Sequence, residues 1–272
     1  MKLANQDTVI SMDAEFGQMA LQVGQHAWGL PALSMREKAF VFLAADLCAH
    51  YVGFPLRTHI AMALAQGVSL GAQREAVRHL APYVGYPAAA EASMVLAEIE
   101  ADRNAANGDG ADHDREADDP PAQSAPAPEA TFNSPPASAQ IEGLDPDFAQ
   151  FFAEQFLGRW NRPGLSARER ALCTIATDVC NGTLEDSFRL HLELAREHGA
   201  GEEQVRAVLL LVTEFGIAKT WRAYIVLHRL QEETSGSPPP TPHPPDGCAG
   251  TTPTGTSPWP WRPTRSATTA PS

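Results

Sequence analysis

Apolar residues recur every three or four positions in two stretches of the chain, and each stretch follows a serine. Both series have the i, i+3, i+4, i+7 spacing of a helix with one buried face: Phe40, Leu43, Ala44 and Leu47, and then Leu172, Ile175, Ala176 and Val179. Ser34 lies three residues before Glu37, and Ser166 three before Glu169. This Ser-x-x-Glu spacing is typical of a capping box at a helix start. The pattern therefore predicts two similar amphipathic helices far apart in the sequence.

Helical periodicity also extends through most of the remaining apolar sequence. It predicts helices over residues 55–66, 70–83, 88–100, 184–198, 202–215 and 217–232. Gly67 and Gly199 follow two of these segments, where a residue of left-handed conformation commonly ends a helix. No alternating pattern of apolar and polar residues competes as a strand. The predicted fold class is all-α.

The chain also repeats itself. At an offset of 132, residues 13–67 align with residues 145–199 with roughly 17 identities in about 55 positions, which marks an internal duplication. Beyond Gly67 the offset becomes 131. We therefore predict two copies of one helical unit, over residues 13–100 and 141–233. Because one small unit buries a limited core, we expect the copies to pack as a pseudo-twofold pair.

Two segments differ in composition from these units. Residues 102–129 contain eight acidic residues and two arginines, and prolines concentrate in residues 120–136 and 238–271. Such sequences bury too little apolar surface to offset the entropy lost on ordering. We predict a disordered acidic, proline-rich linker over residues 101–140 and a disordered proline-rich tail over residues 234–272.

Charge and composition narrow the range of functions. The formal net charge is −13, and no basic stripe is present, which argues against a nucleic-acid partner. No stretch is apolar enough to span a membrane and no signal-peptide pattern opens the chain, so we expect a cytoplasmic protein without a membrane partner. The four cysteines, Cys48, Cys173, Cys180 and Cys248, lack metal-site spacing and fit reduced thiols. No nucleotide, flavin or metal motif occurs, so we expect no cofactor.

The order of short motifs in the two copies resembles the carboxymuconolactone decarboxylase family, on the decarboxylase side of the alkylhydroperoxidase-like superfamily. In each copy a tryptophan turn precedes the capped helix, and a later helix carries Arg-x-His. The residues are Trp28, Ser34, Arg57 and His59 in the first copy and Trp160, Ser166, Arg189 and His191 in the second; the first adds Tyr83-Val-Gly-Tyr86-Pro. The resemblance implies cofactor-free decarboxylation. Relatives with a single unit form rings, which implies a homo-oligomer here, for example a trimer of tandem chains.

The chain departs from the peroxidase members of that superfamily, which carry Cys-x-x-Cys-x-x-x-His. Val52 and Pro55 occupy the two cysteine positions before His59, and Leu184 and Ser187 occupy those before His191. A dithiol peroxidase is therefore disfavoured. Cys180 alone has no resolving cysteine at the required spacing.

His59 and His191 are the candidate catalytic residues. An imidazole titrating near neutrality suits proton transfer, and both histidines recur after Arg-x, although a lone helical histidine is often a packed structural residue. Arg57 and Arg189 are candidate partners for a substrate carboxylate or enolate; the alternative is a surface salt bridge. Two residues along a helix turn by about 200°, so each histidine and arginine need not share a pocket.

The remaining polar candidates have a structural alternative in each case. Glu37 and Glu169 are explained by helix capping better than by acid catalysis. Asp46 and Asp178 follow the apolar stripes and are candidate buried carboxylates. The matched cysteines, Cys48 and Cys180, lie on the same face as the stripes and are expected to pack as small hydrophobic residues. Tyr83 and Tyr86 are candidate pocket-lining, substrate-binding residues.

The sequence thus predicts a cofactor-free decarboxylase or related lyase for a small unsaturated lactone or keto acid. Loss of carbon dioxide requires a conjugated carbonyl to take up the electrons and a group that delivers a proton. Two alternatives stay open: a peroxidase-like redox protein of the same superfamily, and a catalytically silent binding or scaffold protein. The sequence does not distinguish whether one, both or neither copy is active.

Overall fold

The computed structural model describes residues 2–107 and 132–235. The first unit contains α1 (Gln6–Met12), α2 (Ala14–Gly29), α3 (Met35–Cys48), α4 (Phe54–Ala65), α5 (Leu70–Val84) and α6 (Tyr86–Asn107). The second contains α7 (Ser138–Glu142), α8 (Pro146–Trp160), α9 (Ala167–Asn181), α10 (Asp186–Glu197), α11 (Glu202–Val212), a 3-10 turn (Thr213–Phe215) and α12 (Ile217–Ser235). Within these ranges the regular structure is entirely helical, which confirms the all-α prediction.

The local signals for helix starts and ends are confirmed. The Ser34 hydroxyl accepts a hydrogen bond from the Glu37 amide at 3.1 Å, and the Glu37 carboxylate accepts one from the Ser34 amide at 2.7 Å. Ser166 and Glu169 form the same capping box before α9. Gly67 and Gly199 both have φ of +80°, a conformation that glycine adopts without the steric cost of a β-carbon. The capping boxes mark the starts of α3 and α9, and the two glycines lie in the turns that follow α4 and α10.

Helices α3 and α9 form the centre of a core that runs through both units. Phe40, Leu47 and Ile175 are fully buried, and one apolar cluster includes residues from both copies. Burying a large apolar side chain stabilises a fold by about 1.5–3 kcal/mol, so this shared core makes the two copies one packed body. The prediction of a pseudo-twofold pair is confirmed.

Two reciprocal ion pairs show the pseudo-symmetry directly. Arg36 Nε lies 2.7 Å from Glu169 Oε1, and Arg168 Nε lies 2.6 Å from Glu37 Oε1. The four residues are two equivalent pairs exchanged between the copies, as an isologous interface requires. Each glutamate therefore has two roles: it caps its own helix and binds the arginine of the other unit.

A second ion cluster between the units has no counterpart. Glu75 accepts two hydrogen bonds from Arg162, at 2.7 and 2.9 Å, and one at 3.4 Å from the fully buried Arg170. Lys38 occupies the position equivalent to Arg170 in the first unit, where its Nζ donates to the carbonyl oxygen of Trp28 at 2.8 Å. The two copies have therefore diverged in their buried polar contacts.

The predicted disordered linker and tail include residues at their ends that are helical in the structure. Helix α6 continues to Asn107, α7 begins at Ser138, and α12 extends to Ser235. Composition misplaced these edges because residues 101–107 and 234–235 contain no proline and can continue the preceding helix. The rest of both predicted segments, residues 108–131 and 236–272, lies outside the described residues. No described helix combines the length and apolar character needed to cross a bilayer.

Candidate active site: two histidine–aspartate pairs

Each unit contains a histidine bound to a buried aspartate; His191 is buried and His59 is partly exposed. His59 Nδ1 lies 2.7 Å from Asp46 Oδ2, and His191 Nδ1 lies 2.6 Å from Asp178 Oδ2. The aspartates come from the central helices α3 and α9, and the histidines from the following helices α4 and α10. Both carboxylates are almost completely excluded from solvent. A buried carboxylate that binds Nδ1 fixes the imidazole orientation and directs Nε2 away from it.

The first pair, His59–Asp46, lies in a stack of aromatic rings. The Phe42 ring is 4.8 Å from Trp28 and 4.3 Å from the His59 imidazole, centroid to centroid. The second unit contributes the other side of this site: Glu214 Oε1 lies 3.8 Å from His59 Nε2, and the Phe215 ring is 6.1 Å from the imidazole. The site is therefore shared between the two units.

The electrostatics of the first pair keep a proton on His59. Burial by itself lowers the pKa of His59, but the carboxylates of Asp46 and Glu214 outweigh it and raise that pKa to about 9. Burial also raises the pKa of Asp46, with His59 opposing the shift. At neutral pH the imidazole is thus a cation whose Nδ1–H donates to Asp46 and whose Nε2–H points toward Glu214.

The two aspartates differ in how many of their oxygens are hydrogen-bonded. Asp178 Oδ1 accepts hydrogen bonds from Thr183 Oγ1 at 2.8 Å and Ser187 Oγ at 2.7 Å. Tyr51 and Pro55 occupy those positions in the first unit, and Asp46 Oδ1 is buried without a hydrogen-bond partner. Since an unsatisfied buried oxygen costs free energy, the first pair is the less stabilised of the two.

The second pair, His191–Asp178, is closed off by aromatic rings. Tyr83 lies edge-on to His191 with centroids 5.5 Å apart, and the Trp160 ring stacks at 6.3 Å. Tyr83 in turn accepts a hydrogen bond from Trp160 Nε1 at 2.8 Å. The His191 side chain is 3% exposed, compared with 13% for His59. Only the first pair therefore presents an imidazole edge to solvent.

A third histidine, His79, adjoins the second pair. It is fully buried, and neither of its ring nitrogens has a hydrogen-bond partner. Burial, reinforced by the nearby Arg170 guanidinium, holds the pKa of His79 well below its usual value. The ring lies 5.2 Å from Trp160. His79 is thus an uncharged packing residue that helps to close the second pair.

Neither predicted carboxylate-binding arginine contacts a histidine pair. Arg57 forms an ion pair with Glu98, and Arg189 Nη2 lies 2.9 Å from Glu233 Oε2. All four side chains are at least 40% exposed, so these are surface salt bridges, the alternative considered from the sequence. Substrate binding by Arg57 and Arg189 stays a prediction that their placement does not support.

The two tyrosines are also separated from each other. Tyr83 covers His191, whereas Tyr86 lines a cleft of about 390 Å³ between the units, together with Arg159 and Arg162. The Tyr86 hydroxyl donates to Gln155 at 2.7 Å and accepts a hydrogen bond from Arg159. The residues lining this cleft include neither His59 nor His191, so Tyr86 does not share a pocket with a candidate catalytic residue.

The two matched cysteines, Cys48 and Cys180, lie at the C-terminal ends of α3 and α9, 132 residues apart in the sequence. Both thiols are partly buried, and Cys180 packs against the apolar core, as predicted for a small hydrophobe.

Sequence reasoning also missed Phe42 and Glu214 as neighbours of His59. The Asp-to-His spacing of 13 residues, repeated in both copies, was an available signal for the aspartates. Glu214 had no such signal, because its approach to His59 depends on the packing of the two units. In the described ranges no cluster of three or more His, Cys, Asp or Glu side chains is arranged to hold a metal ion.

Comparison with known proteins places this two-unit helical fold in a family. The sequence profile of the carboxymuconolactone decarboxylase family matches residues 14–98 and 146–228, once for each unit. The chain belongs to this family, as a tandem member. No curated protein matches it.

One similar solved structure is a protein of Burkholderia xenovorans LB400, proposed to be a gamma-carboxymuconolactone decarboxylase subunit. It is 21% identical in sequence, the match covers 84% of this chain and 90% of that one, and the TM-score is 0.49. At this level the likeness bears on neither substrate nor mechanism.

Proposed function

We propose that the chain is a cofactor-free carboxy-lyase for a small unsaturated lactone or keto acid, and that His59 is its general acid. Family membership supports a decarboxylase-like role in the broad sense. The observation that carries the specific proposal is the His59–Asp46 pair: a partly exposed imidazole, fixed by a buried carboxylate, with a pKa raised to about 9.

The proposed reaction needs one proton and no redox partner. The bond between the substrate and its carboxylate breaks, carbon dioxide leaves, and the electron pair moves onto a conjugated carbonyl as an enolate. His59 Nε2–H then delivers the proton to carbon, and Asp46 stabilises the imidazolium before transfer and orients the ring during it. Glu214, whose side chain is 28% exposed, is placed to return a proton from solvent to Nε2.

The local charge also favours loss of a carboxylate. Asp46 and Glu214 flank a single imidazolium, so an acid bound beside them experiences net repulsion. When that group departs as neutral carbon dioxide, its negative charge moves onto the carbonyl oxygen of the enolate, so the repulsion at the carboxylate position is relieved, which is one form of ground-state destabilisation. We assign the activity to the first pair, since Tyr83 and Trp160 enclose His191.

The test is a parallel assay of carbon dioxide release and peroxide consumption on one preparation, with a panel of small unsaturated lactone acids and keto acids. For an accepted acid, His59→Gln should lower the rate of carbon dioxide release by about 10²–10⁴. The matched control, His191→Gln, should keep most of the activity and lower mainly the melting temperature.

Three results would contradict the proposal. Equal activity of His59→Gln and the wild type at equal stability would remove His59 from the mechanism. Peroxide consumption without carbon dioxide release would favour the redox alternative. Turnover of neither class of substrate would favour a binding or scaffold protein.

A further inference from the structure

The cleft between the two units is lined by several arginines. Among the described residues that line it, three are arginines and none is acidic. Arg78 belongs to α5 of the first unit, whereas Arg159 lies near the end of α8 and Arg162 just after it, in the second unit. The whole chain has 33 acidic and 20 basic residues. In so acidic a protein, this local excess of positive charge calls for an explanation of its own.

One carboxylate, that of the buried Glu75, balances only part of this charge. Glu75 binds Arg162 through both of its oxygens, and its Oε2 lies 3.3 Å from Arg78 Nη1. The fully buried Arg170 shares the same carboxylate, with Nη2 at 3.4 Å from Oε1. Three guanidinium groups thus share a single carboxylate before Arg159 is counted, and the cluster carries a net positive charge.

Arg159 is held by neutral groups. Its Nη2 donates to the Tyr86 hydroxyl, and its guanidinium carbon lies 5.9 Å from the centroid of the Tyr86 ring. The same hydroxyl donates to Gln155 at 2.7 Å, which holds the tyrosine in place. Among the described residues, no carboxylate forms an ion pair with Arg159. Since a guanidinium has five N–H donors, Arg159 retains donors for an external acceptor.

The remaining lining of the cleft is largely apolar. It includes the side chains of Val77, Ala81, Ala89 and Ala90. The volume of about 390 Å³ lies within the range of small-molecule sites, about 300–1,000 Å³. An apolar lining stabilises a ligand that has a hydrophobic body, and arginine binds planar carboxylates through two parallel hydrogen bonds.

We propose that this cleft binds a small organic carboxylate with an apolar body, and that Arg159 is its main ligand-binding residue. Arg78 and Arg162, both more than 40% exposed, add positive charge on either side. The bound acid links the two units, because these arginines come from both of them. The site is independent of the proposed lyase chemistry, since neither His59 nor His191 lines the cleft.

The experiment measures binding of four probes to the full chain by isothermal titration calorimetry at low ionic strength, where charge interactions are least screened. Benzoate has both the carboxylate and the apolar body and should bind most tightly. Benzamide keeps the ring without the charge, and acetate keeps the charge without the ring. Each should bind about 10-fold or more weakly than benzoate. Inorganic phosphate tests the alternative of an inorganic anion and should also bind more weakly. Benzoate should raise the melting temperature as its concentration increases, because it binds the folded state.

Two variants test the location of the site. Arg159→Gln removes the charged fork and should weaken benzoate binding about 10–100-fold. Ala90→Phe places a ring in the cleft at an exposed position of α6, without a change of charge, and should weaken benzoate binding to a similar extent. The matched control Arg206→Gln makes the same change of charge at an exposed arginine of α11, and should leave the affinity nearly unchanged. Melting curves without ligand verify that each variant is folded.

Several results would overturn the proposal. Absence of benzoate binding to the wild type would do so, as would equal affinity for benzoate and benzamide, which would remove the carboxylate from recognition. Tighter binding of phosphate or acetate than of benzoate would contradict the apolar body. Full affinity in both Arg159→Gln and Ala90→Phe would place the ligand elsewhere. An equal loss in Arg206→Gln would show that only the overall charge matters.

Discussion

The proton on His59 makes a prediction about how stability depends on pH. The pKa of His59 is raised to about 9 in the folded protein, whereas an unperturbed histidine titrates near about 6.5. The folded state therefore holds this proton more tightly than the unfolded state. Its contribution to stability is fully present below pH of about 6.5 and is lost as pH rises through about 9.

The magnitude follows from the size of the shift. A difference of about 2.5 pKa units corresponds to about 3 kcal/mol, at about 1.4 kcal/mol per unit. His59 is only 13% exposed, so solvent screening removes little of this value. We expect the free energy of unfolding of the wild type to fall by about 3 kcal/mol between pH of about 6 and about 10, beyond any change due to other groups.

The matched control replaces both members of the pair. His59→Gln alone leaves the Asp46 carboxylate buried without its partner, which adds a titration of its own. The double variant Asp46→Asn, His59→Gln is neutral at every pH and retains an amide pair of similar shape. Urea unfolding followed by circular dichroism, from pH of about 6 to about 10, should give a flatter profile for the double variant. Parallel profiles for the two proteins would refute the assignment of the proton to His59.

The ion pairs between the units give two further predictions, each measured as a change in the free energy of unfolding. Glu37→Gln keeps the helix cap but loses the charge that binds Arg168, so it should lower the free energy of unfolding by about 1–2 kcal/mol. The exposed control Glu202→Gln should lower it by under about 0.5 kcal/mol, and equal costs for the two variants would contradict this prediction. Glu75→Gln leaves the fully buried Arg170 without its carboxylate and should cost about 3–5 kcal/mol, and a cost below about 1 kcal/mol would refute a buried network.

The sequence predicted the features that depend on local interactions. Capping boxes and apolar spacing located α3 and α9, because a helix start requires only neighbouring residues. The duplication strengthened the prediction of these two helices, because a motif that occurs in both copies is less easily explained by chance. Its 13-residue Asp-to-His spacing, which recurs in both copies, was a further signal for the two pairs, although we predicted the histidines and the aspartates separately. Composition was less exact for the linker edges, because a helix continues until its own backbone hydrogen bonds fail rather than where acidity increases.

Contacts between the copies were beyond sequence reasoning. Glu214 lies near His59 and Tyr83 contacts His191, and each contact joins residues more than 100 positions apart. None of these distances can be derived without the relative placement of α3 and α9. The same limit applies to Arg57, whose direction around α4 places it at Glu98 rather than beside its near neighbour His59.

The two histidine pairs show how a duplicated site can separate stability from reactivity. The second copy has hydroxyl donors for both positions on Asp178 Oδ1 and aromatic rings over His191, which satisfies the buried charge and excludes solvent. The first copy lacks the hydroxyl donors, since Asp46 Oδ1 has no hydrogen-bond partner, and its imidazole stays partly exposed although Phe42 stacks on it. An unsatisfied buried carboxylate is tolerated only where the remaining structure compensates for its cost, and perturbed groups of this kind concentrate at functional sites. The fully packed pair can stabilise the shared core while the less stabilised pair keeps a transferable proton.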